Sequence, residues 1–163
     1  MRHLHSGHKV ARTTSMSSMQ DTAAPKPKRE TPSRTTMRHW MTPAPHSVGK
    51  GQTLAVAKRI MCDYAVRYLP VLDQGKLVGI LSELDIYFVQ AIPGVNLEDT
   101  LVADAMSQHV HCASPDQQIR AVVAQMAEYK LGCAVITEGD KVVGMFTTTD
   151  ALDMLALNVA RAH

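Results

Sequence analysis

An α/β (α+β) fold built from two copies of one β-α-β-β-α unit is what this sequence predicts, and three observations carry the prediction. Residues from 37 onward match themselves without a gap at an offset of 65. In each copy the apolar residues recur first at helical spacing and then in short β-type blocks. Each copy also ends its last predicted strand on the same Gly-x-x-Ser/Thr-x-x-Asp passage into a helix. One unit alone is too small to bury both faces of its sheet, so the two are expected to pack sheet to sheet around a pseudo-two-fold axis.

The offset pairs Met41 with Met106, His46 with His111, Gln52 with Gln117, Met61 with Met126, Tyr64 with Tyr129, Gly79 with Gly144 and Asp85 with Asp150. Identities this frequent in a single register mark a duplication.

Each copy opens on a short extended segment, 45–48 in the first and 110–113 in the second. A helix follows, because Leu54, Ala57, Ile60 and Met61 fall at three-to-four spacing, as do Ile119, Val122, Val123 and Met126. Thr53 is suited to cap the first of these helices, and Ser114 or Asp116 the second. Strands are predicted at 68–72 and 76–81, then at 133–137 and 141–146. Asp73-Gln74-Gly75 and Glu138-Gly139-Asp140 join them, with the composition of hairpin turns. A second helix completes each copy, at 84–91 and 150–160, which sets the repeats at 37–96 and 97–163.

Residues 1–36 are rich in Ser, Thr, Pro, Lys and Arg, a composition that cannot offset the entropy of ordering the backbone, and are expected to form a disordered basic tail. The tail holds seven Lys/Arg against Asp21 and Glu30, a net +5, while the rest of the chain is net −3. The formal charge of +2 therefore hides two regions of opposite sign, and nucleic acid is not the expected partner of the folded part. His3, His5 and His8 alternate without a scaffold or further ligands, so no metal site is expected there. Cys62, Cys112 and Cys133 lack ligand or disulfide spacing and fit a reducing compartment. No apolar run approaches the ~20 residues of a membrane helix, and residues 1–8 lack the apolar stretch of a secretory signal. A cytoplasmic protein is expected. No nucleophile with an adjacent base, metal set or Gly-rich phosphate loop is visible, so an enzyme is not.

Met41-Thr42-Pro43, Arg67-Tyr68-Leu69-Pro70-Val71 and Gly79-Ile80-Leu81-Ser82-Glu83-Leu84-Asp85 stand in the first copy. Asp104-Ala105-Met106-Ser107 and Gly144-Met145-Phe146-Thr147-Thr148-Thr149-Asp150 answer them in the second. Together these segments resemble the CBS (cystathionine β-synthase-like) domain in its tandem form, the Bateman module, over 37–157. The resemblance implies a regulatory module that binds AMP, ADP, ATP or S-adenosylmethionine in the cleft between repeats. It also implies a homodimer that signals to another, unidentified protein. A ligand-free dimerisation or scaffold module is the alternative from a different class.

A hydroxyl at a strand end with a carboxylate three residues on sets both at a helix N-terminus, beside free backbone N–H groups. A carboxylate can accept both hydroxyls of a ribose, and N–H groups and hydroxyls suit phosphate. The resemblance gives the ribose to Asp85 and Asp150, with Ser82 and Thr147 beside them and Ile80 and Met145 lining the pockets. The same pattern is also a capping box, with the acid complementing the helix dipole by about 0.3–1 kcal/mol. Capping accounts for the hydroxyl and the acid but not for Gly79 and Gly144, whose missing side chains allow close backbone approach.

The copies differ where Arg67-Tyr68 in the first faces Gly132-Cys133 in the second. In relatives these positions line the pocket and meet phosphate, a task for which an arginine fork is suited. The site anchored by Asp85 is therefore expected to take a charged nucleotide. The site anchored by Asp150 is expected to take an uncharged adenosine compound or nothing, unless Arg67 reaches across. His46 and His111 occupy equivalent places at the cleft mouth. Two readings stand for them: groups that titrate near neutrality and modulate phosphate binding, or strand histidines with no role.

Overall fold

The computed structural model describes residues 35–161, with side chains to residue 157. The expected disordered tail, 1–36, lies outside the described residues except for Thr35 and Thr36. The order is α1 (Met37–Trp40), β1 (Thr42–Pro43), β2 (Val48–Gly49), α2 (Leu54–Tyr64), β3 (Tyr68–Asp73), β4 (Lys76–Ser82) and α3 (Glu83–Gln90), then α4 (Val102–Ala105), β5 (Cys112–Ala113), α5 (Ile119–Glu128), β6 (Cys133–Glu138), β7 (Lys141–Thr147) and α6 (Thr148–Arg161). This is the mixed α/β architecture that the duplication predicts.

Local chemistry explains most of these elements. In α2 the buried residues are Leu54, Ala57 and Met61, one stripe at three-to-four spacing, and the Thr53 hydroxyl accepts from the Val56 N–H at 3.4 Å. In α5 the stripe is Ile119, Val122 and Met126. Its N-cap is Gln118, without a side-chain cap bond, so neither Ser114 nor Asp116 caps it. Instead the Ile119 N–H donates to the Thr35 carbonyl, which supplies an acceptor from the chain before α1. Gln74 and Gly75 both take positive φ, 49° and 82°, as a tight turn between β3 and β4 requires.

Two sheets result, ordered β2-β3-β4 and β1-β7-β6-β5. The β3–β4 register shifts between Val71 and Leu72, and the β6–β7 register shifts at the equivalent place, between Ile136 and Thr137. Duplication is thus kept down to the bulge. One core holds Leu54, Leu69, Leu81 and Ile86, and the other Val122, Ala134, Ile136 and Phe146.

The segment leading into each copy packs on the other copy. Met37 lies fully buried in the second core, and its equivalent Val102 lies fully buried in the first. The Met37 N–H donates to the Gln117 carbonyl at 3.0 Å, and the Val102 N–H to the Gln52 carbonyl at 2.8 Å. Thr42 pairs with Met145 in the second sheet, and Ser107 with Ile80 in the first. Boundaries at 37–96 and 97–163 follow the repeat along the chain, whereas in space the leading segments are exchanged.

That exchange corrects the reading of the two glycines. A Cβ at Gly79 would stand 2.7 Å from Met106 Sδ and 2.9 Å from the Ser107 carbonyl oxygen, and one at Gly144 would stand 2.9 Å from Met41 Cγ. Their bare backbones admit the exchanged segment of the other copy, not a ligand. The glycines therefore cease to argue for binding over capping, and the case passes to the cavities.

Candidate functional site

Two cavities open between the copies, and their linings match at eleven positions under the 65-residue offset. The larger, about 440 Å³, is lined by Thr42, Pro43, His46, Arg67, Tyr68, Met145, Thr147 and Asp150, among others. The smaller, about 220 Å³, is lined by Tyr68, Ile80, Ser82, Asp85, Ser107, His109, His111, Lys130, Gly132 and Cys133, among others. Asp85, Ser82, Ile80, Cys133 and His111 line the smaller, Asp150, Thr147, Met145, Arg67 and His46 the larger, and Tyr68 both, whereas Gly79 and Gly144 line neither.

Each aspartate does close a capping box. The Ser82 hydroxyl donates to Asp85 Oδ2 at 2.6 Å and the Ser82 N–H to the same oxygen at 2.8 Å, while the Asp85 N–H donates to Ser82 Oγ at 3.1 Å. In the second copy the Thr147 hydroxyl and N–H both reach Asp150 Oδ2 at 2.7 Å, and the Asp150 N–H reaches Thr147 Oγ1 at 3.4 Å. All of these bonds to carboxylate use Oδ2. Among the described residues Oδ1 of either aspartate has no hydrogen-bond donor, so each keeps an acceptor on the cavity wall. Capping and ligand contact are therefore compatible in one side chain.

Arg67 is placed differently from the expectation. It lines the cavity of Asp150, not that of Asp85. Its backbone stays beside the first-copy turn, where the Arg67 carbonyl accepts from the Glu83 N–H at 2.9 Å. Tyr68 is the residue that pairs with Ser82 across the sheet. Arg67 stands in the bend just before β3, so the regular alternation of the strand does not fix its side, and it serves the Asp150 cavity alone while Tyr68 lines both. Because β1 crosses to pair with β7, residues 42–46 accompany Arg67 there. The Asp150 site has consequently not lost its basic group.

The Asp85 cleft holds a cation that the sequence reading missed, Lys130. Its repeat equivalent is Ala65, and both residues take a left-handed backbone, φ 57° and 52°. The Ala/Lys difference at that pair was the available signal. His109 was missed as well and lines the same cleft.

The remaining groups differ in chemical state. Burial pushes the Cys133 thiol up to about 12, so it is protonated and a poor nucleophile at neutral pH. The Tyr68 phenol is raised above its usual range, first by burial and then by Cys133 and Asp85, with Arg67 acting against them. His46 stacks on Tyr64 with ring centroids 3.5 Å apart. His111 lines the Asp85 cleft, and its Nε2 is buried with no hydrogen-bond partner among the described residues. No group of three or more His, Cys, Asp or Glu suited to a metal occurs among the described residues, and no described helix is long and apolar enough to cross a membrane.

The chain is similar to known proteins at both sequence and fold level. It is 28% identical over 118 residues to the CBS domain-containing protein YhcV of Bacillus subtilis, covering 72% of this chain and 81% of that one. Three further curated relatives, named as an acetyltransferase, a sulfurtransferase and a dehydrogenase, are matched over only 18 to 22% of their own length. Among solved structures, the CBS domain pair of protein MJ0100 in complex with 5′-methylthioadenosine and S-adenosyl-L-methionine aligns with a TM-score of 0.69 at 22% identity, over 76% of this chain and 98% of that one. CBSX2 in complex with AMP aligns with a TM-score of 0.67 at 20% identity, over 75% and 97% of the two chains. At these identities the two structures speak for the fold alone. The CBS domain model matches twice, at residues 37–91 and 102–157, and with the duplicated, exchanged architecture this makes the chain a member of the CBS domain family, carrying the domain as a tandem pair.

Proposed function

We propose that this chain is a regulatory CBS pair that binds an adenosine-type ligand, one of AMP, ADP, ATP or S-adenosylmethionine, and signals its presence to a partner protein in the cytoplasm. The ligand is regulatory, and the pair carries no catalysis of its own. The observation that carries this reading is the larger cavity. Arg67, Asp150, Thr147, Thr148 and Thr149 at the start of α6 line it together with apolar Met145 and Val66, and Asp150 keeps one carboxylate oxygen outside its capping box. Its volume falls within the usual range for small-molecule sites. Asp150 suits the ribose hydroxyls, and Arg67 with the helix N-terminus suits a phosphate. The adenosine compounds in complex with the CBS pairs of MJ0100 and CBSX2 support that ligand class.

The pair would work as a homodimer. Leu84 and Phe88 on α3 and Leu152, Leu155 and Leu157 on α6 are all more than half exposed, which leaves apolar helix faces to cover. Those faces also favour the second reading, a ligand-free scaffold. A thermal-shift panel of AMP, ADP, ATP, S-adenosylmethionine and 5′-methylthioadenosine separates the two. A ligand at 100 times its Kd adds about 2.7 kcal/mol of stability, a clear rise in Tm, whereas a scaffold gives no rise with any compound at millimolar concentration.

A further inference from the structure

Tyr68 stands between the cavities and has no repeat counterpart of its size, because Cys133 occupies the equivalent position. Its phenol end sits over Gly132. A Cβ at Gly132 would overlap the Tyr68 hydroxyl and stand 2.7 Å from the ring carbon that bears it. Gly132 is thus the recess that holds the ring, and the hydroxyl makes no hydrogen bond among the described residues. With the ring seated there, the Asp85 cleft has about 220 Å³ and the Asp150 cavity about 440 Å³.

We infer that Tyr68 is a movable partition, seated in the Gly132 recess, that decides which cavity admits a nucleoside-sized ligand and couples the two negatively. The inference rests on the adenosine-binding reading above for its ligand, but not for its geometry. A nucleoside entering the Asp85 cleft has to lift the ring out of the recess, and the open space beside the ring is the Asp150 cavity. The displaced ring then takes volume from a ligand bound next to Arg67. By linkage the effect is reciprocal: a ligand in the Asp150 cavity holds the ring against Gly132 and keeps the Asp85 cleft small.

Two measurements on the full chain test this. In the ligand-free protein, Gly132→Ala fills the recess, so amide NMR shifts should move at Met145, Thr147 and Asp150 on the far side of the ring. Changes confined to residues 131–134 and the Asp85 cleft overturn the inference. Should Gly132→Ala fail to fold, the double variant with Tyr68→Phe, which removes the overlapping hydroxyl, should fold; a double variant that also fails to fold overturns it too.

The second measurement is calorimetric titration of AMP with and without saturating 5′-methylthioadenosine. AMP affinity should fall by about fivefold or more in the presence of the second compound, and Tyr68→Ala should remove that fall. Unchanged AMP affinity in the wild type, or a fall that persists in Tyr68→Ala as direct competition for one site, contradicts the partition. If no adenosine compound binds at all, the functional reading fails, and the ligand-free shifts still decide the role of Tyr68.

Discussion

Asp85 and Asp150 close their helix caps through Oδ2 alone, which leaves Oδ1 of each cavity-lining carboxylate without a donor among the described residues. Removing either carboxylate should therefore lower stability even without ligand. Asp150→Ala should cost about 0.5–2 kcal/mol, the range for a lost cap, read by urea unfolding of the ligand-free protein; no change would show that the box contributes nothing. Cys133 gives a pH signature. Its folded pKa is pushed up to about 12, above the value of 9.0 usual for a thiol, so the folded state holds the proton that the unfolded chain releases. Stability from this group is intact below pH 9 and is lost as pH rises toward about 12. Unfolding free energies measured on either side of pH 9 should decline more steeply for wild type than for Cys133→Ala, and equal slopes would refute the shift. At this scale the repeated motif was legible, and it stands on the cavity walls at Ser82, Asp85, Thr147 and Asp150, while Lys130 and His109, outside any motif, were not. The sequence did not show which space Arg67 enters, because Arg67 lies in the bend before β3, outside the periodicity that would fix its side, and the segment 42–46 that shares its cavity arrives through β1 pairing with β7.

Helices and strands with a full period were legible, and the shortest elements were not. Residues 54–64 and 119–128 display their buried stripes in the sequence, and the hairpins announce themselves through Gly75 and Gly139. The four-residue helices α1 and α4 are too short to show periodicity, and what fixes them is tertiary: Met37 and Val102 inserted in the opposite cores. The glycines were read as ligand signals for the same reason, since their true neighbours, Met41 and Met106, arrive from the other copy. Met37→Ala should accordingly destabilise the folded pair by about 2–5 kcal/mol, as for a fully buried methionine. Chemical denaturation measures it, and a loss below about 0.5 kcal/mol, the level of a surface change, would mean that the leading segment is not part of the core.

For the whole molecule, the apolar faces of α3 and α6 set the expected assembly. Leu152→Asp or Phe88→Asp, both at exposed positions, should turn a dimer into a monomer in light scattering with little effect on the monomer's own fold. A wild type that is monomeric at micromolar concentration would remove the dimer. The duplication, and with it the fold class, was legible at this scale because a 65-residue offset survives in the sequence as identities. The exchange of segments between copies was not, since it is a choice between equivalent partners. The most direct measurement is calorimetric titration of AMP against wild type, Arg67→Ala, Asp150→Ala and Asp85→Ala. Losing a hydrogen bond to a charged group costs about 1.5–3 kcal/mol, so Arg67→Ala and Asp150→Ala should each weaken AMP by roughly one to two decades, while Asp85→Ala leaves it within about threefold. AMP bound as tightly by Arg67→Ala and Asp150→Ala as by wild type would contradict a nucleotide site in the larger cavity.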